Sequence, residues 1–101
     1  MTRVSFLDPA EQEMLEAADH YDRQTPGLGD EFLGELQRAV DHIVENPLLG
    51  PVLRKGVRRR IMRRFPYAVL YRLDPEEIVI IAVMHLRRQP EYWLNREFTR
   101  H

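Results

Sequence analysis

The chain has 101 residues and a mass of 12.1 kDa, enough for one small domain spanning residues 1–101 with a thin core, for which a permanent partner is a reasonable expectation. Hydrophobic residues make up 44% and charged residues 31%, which excludes a disordered composition, and the absence of cysteine excludes a disulfide scaffold, a thiol nucleophile and a thiolate zinc site. The net charge of −1 hides an asymmetry: residues 1–50 hold 3 Arg against 11 Asp and Glu, a charge of −8, while residues 51–101 hold 12 Lys and Arg against 5 Asp and Glu, a charge of +7. Such polarity fits one face for a polyanion and another for a different contact, or an acidic helical surface that complements a basic sheet. The longest apolar run, residues 78–84, is too short to span a bilayer, and the start of the chain lacks a secretory apolar stretch. A soluble cytoplasmic protein without membrane contact is expected.

Residues 3–7 read as a short strand ending at Asp8-Pro9. Asp8 can accept early backbone N–H groups, Pro9 suits a first helical turn, and Glu11 stands where a capping acid belongs. Leu7, Ala10, Met14, Ala17 or Ala18, and Tyr21 then mark one face of an amphipathic helix. Its acids read as a solvated surface, and Thr25-Pro26-Gly27 ends it. A second helix starts near Leu28-Gly29-Asp30, carries Phe32, Leu36, Ala39 or Val40, and Ile43 as its stripe, and stops at Asn46-Pro47. The short connection predicts an antiparallel helical hairpin.

Residues 48–56 read as a loop. Residues 57–64 form a basic strand and residues 67–73 an aromatic, β-branched one. Asp74-Pro75-Glu76-Glu77 is turn chemistry between hairpin strands. Residues 78–84 are apolar at every position, which predicts a central strand covered on both faces. Residues 90–101 read as a short helix with Tyr92, Trp93, Arg96 and Phe98. The order is β-α-α-β-β-β.

Two clusters can carry chemistry. Residues 54–64 hold seven cations in eleven residues. On a strand, Arg58, Arg60 and Arg64 line one side, where guanidinium groups suit phosphates or carboxylates. The plainer alternative is an edge strand protected by charge. The second cluster runs from Met84 to Trp93. There His85 can act as a general acid or base, and Arg87 and Arg88 can stabilise negative charge. Against this, His85 can be a hydrogen-bonded strand-end residue and Trp93 a core plug. Tyr67 and Tyr71 alternate on one strand, suited to base stacking or to packing. His20, His42 and His101 lack ligand spacing with carboxylates, so neither a metal nor a cofactor is expected.

Five segments, taken in order, resemble the RelE/ParE superfamily of small bacterial toxins, and most closely its ParE-like, plasmid-stabilisation group. They are Glu16-Ala17-Ala18-Asp19-His20-Tyr21-Asp22, Gly27-Leu28-Gly29-Asp30-Glu31-Phe32, Ile43-Val44-Glu45-Asn46-Pro47, Arg63-Arg64-Phe65-Pro66-Tyr67-Ala68-Val69-Leu70-Tyr71 and Ala82-Val83-Met84-His85-Leu86-Arg87-Arg88-Gln89-Pro90-Glu91-Tyr92-Trp93. The resemblance implies a RelE-like α+β fold, with the helical hairpin on one face of a mainly antiparallel sheet. It also implies the toxin of a type II toxin–antitoxin system, held in a hetero-oligomer by a cognate antitoxin from the same operon. Two activities divide the superfamily. ParE-like members inhibit DNA gyrase and are not nucleases; RelE-like members cut mRNA in the ribosome. For a nuclease, the counterparts implied here are Arg58, Arg60, Arg64, Tyr71, His85 and Arg88. A partner-binding surface would draw on Arg58, Arg59, Arg60, Arg63, Arg64, Tyr67, Arg87 and Trp93. The near-neutral charge weakens long-range attraction to ribosomal RNA, and Phe65-Pro66-Tyr67 with Pro90-Glu91-Tyr92-Trp93 is closer to the gyrase-type group. A gyrase inhibitor is therefore expected, with an mRNA endonuclease or an inactive antitoxin-binding homologue as alternatives.

Overall fold

The computed structural model describes residues 2–96. Strand β1 (Arg3–Phe6) leads into helices α1 (Asp8–Gln24) and α2 (Leu28–Glu45), followed by strands β2 (Arg58–Ile61), β3 (Tyr67–Asp74) and β4 (Glu77–His85). The sheet order is β1-β4-β3-β2, with β1 parallel to β4 and the other two pairings antiparallel. The expected α+β order and helical hairpin are present.

Helix α2 starts at Leu28, as expected, but α1 is capped differently from the expectation. Leu7, not Asp8, occupies the cap position of α1, and its side chain makes no capping bond; Asp8 and Glu11 lie within the first turn, where they oppose the positive helix end. Helix α2 is capped from its neighbour. The Asp22 carboxylate accepts the N–H groups of Gly27 (3.1 Å) and Gly29 (2.8 Å). A Cβ at Gly29 would stand 2.4 Å from the Ala18 carbonyl oxygen, so only glycine allows the helices this approach. Phe32, Leu36, Ala39, Val40 and Ile43 are all buried, as the stripe predicts.

Both sheet faces are covered. The helices pack Ala17, Phe32, Leu36 and Ile43 against Val69, Tyr71, Ile80 and Val83. On the opposite face, Trp93 joins Val57, Leu70, Val79, Ile81 and Met84. Strand β4 is buried from Glu77 to Met84, as its unbroken apolar run requires. This second face is roofed by the α2–β2 loop and by a 3-10 turn at Tyr92–Asn95. Of the helix expected over residues 90–101, the described part holds only this turn; residues 97–101, with Phe98 and His101, lie outside the described residues.

Strand β2 is shorter than expected. It ends at Ile61, and Arg64 adopts a left-handed backbone (φ 69°) in the turn before β3. Arg64 therefore does not share a strand face with Arg58 and Arg60. Its guanidinium meets Glu31 at 2.7 Å instead.

Candidate functional site

The basic strand divides its cations. Arg58 pairs with Tyr71 and Arg60 with Val69, both on the helix-covered face; Arg59 pairs with Leu70 on the other. Arg58 donates to the carbonyl oxygens of Leu48 (3.1 Å) and Gly50 (2.8 Å). Arg60 meets His42 Nδ1 at 2.7 Å. Between α2 and β2 this contact crosses a groove of about 530 Å³, lined by Glu35, Arg38, Glu45, Arg60 and Arg63 among others. The hydrogen bond to Glu31 raises Arg64's pKa, fixing its charge next to an acid. The outer border of β2 is partly occupied from within. Arg59 N–H donates to Pro51, Leu53 N–H donates to Val57, and Val52 bridges Arg58.

Tyr71 is buried, and its hydroxyl donates to the Pro47 carbonyl at 2.8 Å. Burial pushes the phenol up, and the positive charges of Arg58 and Arg60 only partly offset this. Its one proton is committed to a structural bond.

A second locus forms at the end of β4. His85 pairs with Tyr67 across the sheet, with ring centroids 5.0 Å apart. His85 Nδ1 accepts the Arg87 N–H at 3.0 Å, so in the neutral ring Nε2 carries the proton. A hollow of about 170 Å³ brings Tyr67, His85 and Arg88 together with Glu16 and His20. Burial raises the Tyr67 phenol. Tyr71 lies four residues along β3 from Tyr67, about 13 Å by strand rise. Of the residues a nuclease would need, Arg58, Arg60 and Tyr71 lie around β2, His85 and Arg88 line this hollow, and Arg64, in the turn before β3, is bonded to Glu31 of α2. Trp93, expected at a partner surface, is 1% exposed and donates to the Pro90 carbonyl; it is a core plug and offers no outer contact.

Sequence reasoning missed Glu13. Read as one more solvated acid, it is nearly buried and makes four polar contacts. It accepts from the Val83 N–H (2.9 Å), the Tyr92 hydroxyl (2.5 Å) and both Arg96 Nη atoms (2.9 and 2.6 Å). Arg96 also donates to the Ile81 carbonyl. β1 pairs with β4 only as far as Ile80, so these two side chains satisfy the strand groups that β1 leaves open. Burial and the bond to Glu13 push the Tyr92 phenol far up. Burial works against the Arg96 charge, but Glu13 outweighs it and the net shift is upward. The only local hint of this cluster is a glutamate one residue before Met14 of the apolar stripe.

The helical hairpin on a mixed four-stranded sheet places the molecule in the ParE/RelE-like fold class. A solved structure described as "Chromosomal ParDE TA system from P. aeruginosa" matches with a TM-score of 0.76 and 21% identity, over 86% of this chain and 98% of that one. No curated protein matches the sequence. Residues 4–90 match the family described as "ParE toxin of type II toxin-antitoxin system, parDE". The chain belongs to that family.

Proposed function

We propose that this toxin acts by binding rather than by cleavage: it inhibits DNA gyrase in the cytoplasm, and a cognate antitoxin silences it in a hetero-oligomer. One observation carries the reading. RNA cleavage needs an acid, a base and cations around one phosphate. Here Arg58, Arg60, Arg64 and Tyr71 are held by Leu48 and Gly50, His42, Glu31 and Pro47, and none of the four lines the hollow that holds His85 and Arg88. By contrast Arg59, Arg63 and Arg87 hold guanidinium groups without a hydrogen bond or ion pair among the described residues, which suits an acidic macromolecular surface. Family membership and the ParE-like sequence segments support the same reading.

The competing reading, ribosome-dependent mRNA cleavage, draws on the hollow that joins His85, Tyr67 and Arg88 to Glu16 and His20. Inducible expression without the antitoxin separates the two. The gyrase reading expects DNA breaks and an induced damage response while mRNA stays intact. Rapid mRNA fragmentation abolished by His85→Ala, with DNA undamaged, would establish the enzyme instead. Harmless expression of folded protein would favour an inactive antitoxin-binding homologue.

A further inference from the structure

The α2–β2 loop presents three large apolar side chains within five residues: Leu48 and Leu49, each 68% exposed, and Val52, 55% exposed. A floppy loop could expose leucines by default, but this one is held from several sides. Tyr71 O–H binds the Pro47 carbonyl, Arg58 binds those of Leu48 and Gly50, and Arg59 N–H binds that of Pro51. A Cβ at Gly50 would stand 2.4 Å from the Arg59 carbonyl oxygen, so the loop lies directly on β2. The backbone is tied inward while the leucines stay in water. Preorganisation of this kind lowers the ordering cost of binding, and clustered exposed apolar groups mark contact surfaces.

The same bonds set the electrostatics. Arg58 donates to carbonyls, which do not neutralise its charge, and Arg59 carries a guanidinium that pairs with nothing among the described residues. Three apolar side chains thus sit against a positive border. We propose that this loop tip is the docking face for an acidic amphipathic segment of the antitoxin. The segment's apolar side chains cover Leu48, Leu49 and Val52, and its carboxylates reach Arg58 and Arg59. The inference rests on the reading of the chain as an antitoxin-neutralised toxin, and it names where that partner holds on. An anionic membrane is the weaker occupant. The loop has no aromatic anchor, and Arg58 is turned toward loop carbonyls rather than toward a lipid plane.

The test is co-expression with the antitoxin from the toxin's own operon, followed by affinity measurement on the purified partners at 50 and 300 mM salt. Leu48→Ala and Leu49→Ala should each weaken the complex about thirtyfold, the loss typical of a binding hot spot. Arg59→Ala should flatten the salt dependence. The Leu48→Ala and Leu49→Ala variants should melt with the wild type, since those side chains are exposed; Arg59 is half-buried, so its variant is compared only after its melting temperature is shown to match. Variants that bind within threefold of a wild type that does bind would overturn the docking site and leave the antitoxin reading standing. A wild type that forms no complex would sink both. Sedimentation with vesicles containing anionic phospholipid gives the remaining arm. Wild-type binding lost in Leu48→Ala, with antitoxin affinity unchanged, would assign the loop to a membrane and overturn the proposal.

Discussion

Glu13 shows how far one side chain can be from its apparent class. It looks like its neighbours Glu11 and Glu16, yet it joins helix α1, strand β4 and the segment after β4. Removing its charge strands Arg96 in a site where each partner is 15% exposed. We expect Glu13→Gln to cost about 2–3 kcal/mol, the range for losing charge-assisted bonds in a largely buried pair. Urea unfolding measures this, and faster exchange of the Val83 amide would localise it. The Tyr92 ring lies under two guanidinium groups, its centre 4.0 Å from Arg88 Cζ and 4.9 Å from Arg96 Cζ, while its hydroxyl donates to Glu13. Its folded pKa is raised, as are those of Tyr67 and Tyr71, chiefly by burial. A raised pKa favours the protonated form in the fold. That stability is complete below the unfolded tyrosine value of about 10 and drains away as pH climbs through the raised values. Unfolding free energy should therefore begin to fall at about pH 10 and keep falling above it, and fall less in Tyr92→Phe. An equal loss in both proteins would remove Tyr92 from the explanation.

Elements were legible where periodicity is strong. The stripe from Phe32 to Ile43, the helix stop at Asn46-Pro47 and the apolar run of β4 all appear where their patterns place them. The parallel pairing of β1 with β4 was not readable, because residues 3–6 and 77–80 meet only through the tertiary fold. Strand β2 ends sooner than its sequence suggests: arginine says little about backbone, and residues 62–66 turn through the Phe65 N–H to Arg63 and Tyr67 N–H to Phe65 bonds. Of the site, His85 at a strand end and the arginine run could be found from local sequence. The Glu13 hub could not, since its partners lie 70 to 83 residues away. The loop's order also depends on contacts beyond its own segment. Gly50→Ala should force it off the Arg59 carbonyl, at a cost of about 1–3 kcal/mol. Calorimetry checks this, and an unchanged melting temperature would show that the loop can shift freely.

At the scale of the molecule, the charge asymmetry does not become one undivided patch. Among the described residues, cations of the second half return to acids of the first half, Arg64 to Glu31 and Arg96 to Glu13, and Arg54 pairs with Glu91 in its own half. Among the described residues, Arg59, Arg63 and Arg87 keep guanidinium groups without a hydrogen bond or ion pair, and the loop tip keeps its apolar side chains exposed. Such a surface fits the partner proposed for it. No helix among the described residues is long and apolar enough to cross a membrane. The most direct measurement is plasmid supercoiling by purified gyrase with increasing toxin, with and without the antitoxin. The expected result is lost supercoiling with accumulated linear DNA, reversed by equimolar antitoxin. Full supercoiling at a large molar excess of folded toxin would contradict it.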